Sequence, residues 1–408
     1  MFRKRSLSGG SGRSSLALYI SVFLMRFSFG VVLFTLPIYL PRWEFSNFVV
    51  GLIAAAYPIT ETVCSPAVGV LVDRLGRRRW IYLGLTISTA ALFAFTLSTN
   101  VAYLIVVHAV QGIAAAMIIV SALTIVTDAS RSTNLGRAMG VYDFANLGGY
   151  MAGILAAGIL TLTTYKVAPF YFASALAGMA AIFAYLKIKE VKRPSKRSVP
   201  SPIQTLKALL SQRRAAAMFP IWLAVTTFLG MTLTFGPRFG PSPMATSFLF
   251  AGAVLVLAVT QPFFGYLSDR YGRDKLMMVG IVSILGLFFT IINILRGRLP
   301  FSSVLPFLAV FGVGSFAFAP AALASLGDLA PEQSRGTTMG VYSLVISLGT
   351  ITGPLLGGYI LDRYGLTSLF YAGLVILIGA LTLGILIAGP NLTKPRRISL
   401  HRRRGSWV

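Results

Sequence analysis

The chain has 408 residues, with 36 Lys+Arg against 11 Asp+Glu and a formal net charge of +25. Charged residues make up 12% and AVILMFWYC 56%, about half the charge share of soluble domains, which excludes a fold with a water-facing surface. Its 29 Phe exclude a disordered chain, while one cysteine (Cys64) and two histidines exclude a disulfide framework and leave no ligand set for a metal, nor any sign of a cofactor.

Apolar runs of about 18 residues or more, long enough to cross ~30 Å of hydrocarbon as helices, recur along the chain. Spans 1 to 6 are predicted near 16–40, 47–72, 80–98, 101–127, 138–164 and 167–188. Spans 7 to 12 follow near 215–236, 244–268, 275–296, 301–326, 337–361 and 366–389. The first run is too long for a cleavable signal peptide, and the alternating ten-residue segments of a membrane β-barrel do not occur.

With both termini in the cytoplasm, 29 basic residues fall on the inner side and six outside, and Arg26 alone lies within a span. This is a strong positive-inside bias, so the basic surplus orients the chain toward anionic lipid headgroups. Nucleic acid is excluded as a partner, since no soluble domain presents those charges. The expected organisation is a cytoplasmic N-terminal arm (1–15), a six-helix bundle (16–188), a cytoplasmic linker (189–214), a second six-helix bundle (215–389) and a basic cytoplasmic tail (390–408). The end of the linker, TLKALLSQRR, reads as a short amphipathic helix on the membrane surface.

The halves repeat each other. GVLVDRLGRRR at 69–79 matches GYLSDRYGRDK at 265–275; LGRAMGVY at 135–142 matches RGTTMGVY at 335–342; Asp128 matches Asp328, and Gly30 and Pro37 match Gly230 and Pro237. On the G-x-x-x-D-R-x-G-R-[KR] loop between spans 2 and 3, its echo between spans 8 and 9, and the two-half architecture, the chain resembles the major facilitator superfamily of secondary transporters over essentially all twelve spans. The resemblance implies two pseudo-symmetric bundles around a central cavity that opens alternately to each side.

It also implies a cytoplasmic latch that holds the outward-open state. Asp73 would meet the positive N-terminus of span 11, Gly69 would permit close helix approach, and Arg77 would reach Asp128, with Arg74 and Gly76 completing the corner. In the second copy, Gly265, Asp269, Arg270, Gly272 and Arg273 repeat the corner. Asp269 would there face the start of span 5 and Arg273 would pair with Asp328. Asp274 stands where the first copy has Arg78, so the second latch is expected to be the weaker.

Gly340, Gly349, Gly353, Pro354, Gly357 and Gly358 fit the G-x8-G-x3-G-P-x2-G-G pattern that the family's antiporters carry in span 5. Here it lies in span 11, and span 5 keeps Gly149 and Gly153 but lacks the proline. Both sets also read as close-packed helix faces.

Ionisable groups at mid-membrane depth point to function. Arg26 lies about 15 Å and Glu61 about 18 Å from the inner face at 1.5 Å per residue, so an ion pair between spans 1 and 2 is expected. His108 opens H-A-V-Q-G on span 4, which is similar to the family's R-x-x-Q-G and retains Gln111; a histidine there is the alternative to Glu61 as proton carrier, or a hydrogen-bonded interior residue. Asp143, Asn146 and Tyr150 form a polar stripe on span 5. The second half has Thr226, Leu257, Leu308 and Ser343 at the positions of Arg26, Glu61, His108 and Asp143, so it is expected to offer an apolar wall with mild polar groups at Thr227, Gln261 and Asn293.

The expected function is secondary transport of a small organic solute across the plasma membrane by a monomer, as proton-coupled efflux. Alternatives are uptake of an anionic metabolite by symport or uniport on Arg26, and a sensor or scaffold that moves nothing. No ATP-binding loop and no Ser/His/Cys constellation of an enzyme is found.

Overall fold

The computed structural model describes residues 10–40, 45–129, 135–163, 165–188, 207, 210–238, 242–329 and 335–389. Their regular structure is helical throughout, without a strand among the described residues. The first half contributes α1 (Gly10–Tyr39), α2 (Asn47–Leu75), α3 (Arg77–Ala94), α4 (Val101–Ala129), α5 (Leu135–Leu160) and α6 (Ala168–Lys187). The second contributes α7 (Arg213–Phe235), α8 (Pro243–Tyr271), α9 (Arg273–Leu295), α10 (Phe301–Ser315), α11 (Phe318–Leu329) and α12 (Arg335–Ala388). Most of the linker, including 189–206, and the tail from 390 lie outside the described residues.

The helices map onto the twelve predicted spans with two changes of segmentation. Span 10 is broken at Phe316 and Ala317 into α10 and α11. Spans 11 and 12 run together as α12, which turns back at Gly365 (φ 77°, ψ −178°), a conformation open to a residue without Cβ. Successive spans alternate in direction, so one end of the molecule gathers Arg77 to Arg79, Lys187, Arg213, Arg214 and Arg270 to Lys275. This is called the basic end below.

Lipid offers no hydrophobic drive between helices, so packing rests on backbone approach through small residues. α1 lies against α5, and α7 against α12. A Cβ on Gly153 would lie against the Phe27 carbonyl and within 2.8 Å of Gly30 Cα; one on Gly353 would lie against the Thr227 carbonyl and 2.8 Å from the Met231 nitrogen. Gly149 meets Arg26 Cβ, Gly349 meets Thr226 Cβ, and Gly357 packs on Phe235 and Met231. The same glycines thus serve the same helix pairs in both halves, at the repeat spacing of 200 residues.

The halves touch each other away from the basic end. Asp362, three residues before the Gly365 turn, accepts hydrogen bonds on Oδ1 from Asn47 N (2.8 Å) and Asn47 Nδ2 (2.7 Å), and on Oδ2 from Phe48 N (2.7 Å). It therefore caps the N-terminus of α2, whose first N–H groups have no partner within their own helix, alongside the Ser46 hydroxyl that accepts from Val49 N (3.3 Å). Arg238 donates to Asn47 Oδ1 from the 3-10 turn after α7. Gly51 lies on the Pro354 carbonyl, Gly158 on Ser247, and the Phe34 and Phe250 rings meet edge-on at 6.2 Å. At the basic end the close approach expected at Gly69 is not made among the described residues. A Cβ on Gly69 would reach only Val120 Cγ1 at 4.0 Å, and Gly265 has open space. The contacts between the halves described above thus lie at the end opposite the basic one.

Gly153→Ala and Gly353→Ala are each expected to destabilise the protein by about 1–3 kcal/mol through overpacking, whereas Gly379→Ala, with nothing within 4 Å of its Cβ, is expected to be neutral. Thermal unfolding in detergent checks the contrast.

Candidate functional site

α1 places Arg26 where Gly149 of α5 lets its stem lie against the neighbouring backbone. The guanidinium then reaches along α5: Nη1 donates to Tyr150 Oη at 2.8 Å, and the charge stands 5.0 Å from the Tyr150 ring centre and 6.0 Å from that of Phe29. These are cation–π distances. Phe29 in turn meets the rings of Tyr150 (5.5 Å) and Tyr57 (4.6 Å). Tyr57 meets His108 (5.5 Å), His108 meets Phe95 (5.5 Å), and Phe95 stacks on Phe170 (5.4 Å). One chain of rings therefore ties five helices of the first half, and the C-cap of α3 at Phe95, to the Arg26 charge.

Glu61 lies on α2 between Pro58 and Pro66, which remove two helical N–H donors. Hydroxyls lace the same stretch. Thr62 donates to the Pro58 carbonyl (2.6 Å), Ser65 to the Glu61 carbonyl (2.6 Å) and Thr60 across to Ala109 of α4 (2.7 Å). The direct ion pair expected between Arg26 and Glu61 is not formed. Arg26 donates to Tyr150 and makes no ion pair with Glu61 or any other described acid. Azimuth explains the difference, since the two groups share a depth but α5 brings a phenol closer to Arg26 than α2 brings the carboxylate. Arg26, Glu61, Asn146 and Tyr150 are all part-exposed despite their depth along their helices, as expected of groups that border a cavity.

His108 and Gln111 are buried, at 6% and 2% exposure. Among the described residues His108 makes no ion pair, and its Nδ1 and the Gln111 Oε1 find no hydrogen-bond partner. The Oδ1 of Asn146 is likewise without one. Asp143 is exposed near the basic end of α5. The second half differs at equivalent places. Thr226, in the position of Arg26, turns its hydroxyl to the Trp222 carbonyl (2.8 Å), Thr227 pairs with Thr352 (3.0 Å), and Asn293 donates to the Phe289 carbonyl (2.8 Å).

At the basic end both loop corners turn on positive-φ glycines, Gly76 (φ 95°) and Gly272 (φ 100°). The side chains of Asp73, Arg74 and Asp128 lie outside the described residues; Arg77 is buried at 3% exposure. In the second copy Arg273 donates from Nε to Asp328 (3.1 Å) and from Nη1 to Ser268 (2.7 Å), and it also pairs with Asp269, one turn back. Asp269 is thus engaged within its own half. Arg270 covers the Tyr271 ring at 5.6 Å. The Arg78/Asp274 exchange has a structural counterpart: Arg78 donates to the Tyr185 carbonyl near the end of α6 (2.7 Å), whereas Asp274 pairs with Arg214 at the start of α7 (2.6 Å).

Sequence reasoning passed over Asp362, although it stands in an Asp-Arg-Tyr-Gly string (362–365) that repeats 269–272. That string was the available signal. The ring chain from Phe29 to Phe170 carried no comparable pattern.

The family model described as Major Facilitator Superfamily matches residues 18–240 and 231–406. The chain belongs to the Major Facilitator Superfamily. It is therefore a multi-pass membrane transporter. It is similar to Multidrug resistance protein 2 of Bacillus subtilis (strain 168), 26% identical over 88% of this chain and 91% of that protein. It is also similar to the quinolone resistance protein NorA of Staphylococcus aureus (strain MSSA476), 25% identical over 85% and 89%. Among solved structures, a bacterial homologue of the human lysosomal transporter Spinster, inward-facing and occupied, superposes with a TM-score of 0.78 at 15% identity, covering 94% of this chain and 98% of that one. The nucleoside transporter NupG gives 0.70 at 18%, over 91% and 98%. These two likenesses concern the fold.

Within this facilitator, Tyr150→Phe is expected to leave Arg26 without its acceptor and to cost about 1.5–3 kcal/mol, the range for a hydrogen bond to a charged group. A lowered melting temperature of the detergent-solubilised protein checks it.

Proposed function

We propose that the protein exports a small organic solute across the cell membrane in exchange for protons, by alternating access of a cavity between its halves. One observation carries the reading: Glu61 and Arg26 lie at similar depth along neighbouring helices of the first half, without a direct bond between them. A carboxyl so placed gains or loses a proton without breaking an ion pair, and each change alters the charge the solute meets. Glu61 is assigned the proton rather than His108, which is packed between rings with no ionisable partner. The relatives' names, a multidrug and a quinolone resistance protein, support efflux, and the 29 to 6 distribution of basic residues supports cytoplasmic termini. On that orientation the halves meet on the outside and the cavity faces inward. Arg77, Asp128, Arg273 and Asp328 with their corner residues would then serve as the latch of the opposite state, and the spans 16–188 and 215–389 as the two moving bodies.

Uptake of an anionic metabolite is the second reading, favoured by the absence of an ion pair from Arg26 to any described acid. The two differ in the sign of linkage. An anion on Arg26 raises the proton affinity of Glu61, so solute and proton travel together; a solute that competes with the proton travels against it.

Proteoliposomes holding a trapped pH dye, given an imposed pH gradient and a panel of drugs and organic acids, test both. Solute-driven proton release indicates exchange, and proton co-movement indicates symport. Glu61→Gln is expected to reduce solute-linked proton movement to that of empty liposomes; retained movement in this variant removes the proton assignment.

A further inference from the structure

Three of the five described positive-φ glycines end the same four-residue string. Gly76 closes Asp73-Arg74-Leu75-Gly76, Gly272 closes Asp269-Arg270-Tyr271-Gly272, and Gly365 closes Asp362-Arg363-Tyr364-Gly365, with φ of 95°, 100° and 77°. In each, a helix ends on an extended glycine and the next begins at once. The acid three residues earlier belongs to the last turn of its helix. Two of these corners lie at the basic end and the third at the opposite end. Each half of this fold contains two inverted three-helix repeats, so the corners after spans 2, 5, 8 and 11 are structurally equivalent and alternate between the two ends. The corner after span 5 has no acid, and there Gly158 packs directly on Ser247 of α8.

At the third corner the destination of the carboxylate is visible. Both oxygens of Asp362 are taken by the start of α2, in the other half, through Asn47 N, Asn47 Nδ2 and Phe48 N. Arg238 holds the far side of the same Asn47 side chain. Anionic groups at a helix N-terminus gain both from the orphan N–H donors and from the helix dipole. This cap is made between halves, so it exists only while the outer ends are together.

We propose that Asp362 is a gating residue: its carboxylate holds the outer mouth shut by capping α2, and outward opening requires its withdrawal. Spans 2 and 11 then carry one acid each, Asp73 and Asp362, at opposite ends of the pair. Asp362 reaches the start of span 2, and the family resemblance places Asp73 at the start of span 11, so closing one end would break the cap at the other. The inference rests on the alternating-access part of the function proposed above and not on the solute or the coupling ion.

The test uses the full chain with Cys64→Ala, spin-labelled at Thr99→Cys and Arg298→Cys. Both positions are exposed in loops at the outer end, one in each half. Electron–electron distance distributions report the outer mouth directly, whether or not the solute and proton are correctly assigned. Asp362→Asn is expected to raise the ratio of open to closed outer mouths about tenfold, the effect of losing a good helix cap. Asn47→Ala, which keeps the backbone donors, is expected to shift it the same way by less, and it decides the matter if Asp362→Asn does not fold. Asp73→Asn is expected to shift the ratio in the opposite direction. Unchanged distances in Asp362→Asn, or opening in Asp73→Asn, would overturn the proposal.

Discussion

Backbone-to-backbone approach through glycine is the constraint on which the other features of this molecule depend. Helices in lipid gain little from burying apolar side chains against one another, so contact must come from close packing. Gly149 and Gly153 bring α5 onto α1, and Gly349 and Gly353 bring α12 onto α7. The position of Arg26 follows from the first contact. Its Cβ lies over Gly149, so the side chain has no room to turn into α5 and extends along it to the Tyr150 hydroxyl. A larger residue at 149 would displace the charge before any polar group was touched.

The same frame carries different chemistry in its two halves. Where the first half has Arg26 against Gly149, the second has Thr226 against Gly349, and that hydroxyl is spent on its own helix. His108 is answered by Leu308 and Glu61 by Leu257. The first half is organised around a charge joined to a run of aromatic rings, while the second is bound together by small residues and self-satisfied hydroxyls. A repeat conserved in packing and not in polarity suits a carrier in which one side recognises charge and the other encloses the cargo.

The fold was legible because its signals are one-dimensional: span length, charge between spans, and an offset of 196 to 200 residues between copies. The site was legible in depth only. Counting residues put Arg26 and Glu61 at one level, but it does not say which neighbour each faces, and Tyr150 of α5 took the place expected of the carboxylate. Gly69 was read as a point of close approach, yet such contact depends on which end of the molecule is closed. His108 resembled a proton carrier in sequence; its surroundings of Tyr57 and Phe95 depend on how α2 and α3 pack around α4. The Asp362 corner was visible as a string, but its meaning lay in a partner 315 residues away.

The apolar character of the second half has an electrical consequence. Between the charged ends of its helices no residue of that half bears a charge, so it can rotate through the membrane potential without electrical work. The field acts on Arg26 and Glu61 alone among deep groups, at about 2.3 kcal/mol per elementary charge per 100 mV for a full crossing. With Glu61 ionised the two charges cancel and the movement is electrically silent. With Glu61 protonated, one net positive charge moves with the first half, and the resting potential then pulls on the protonated carrier and not on the deprotonated one.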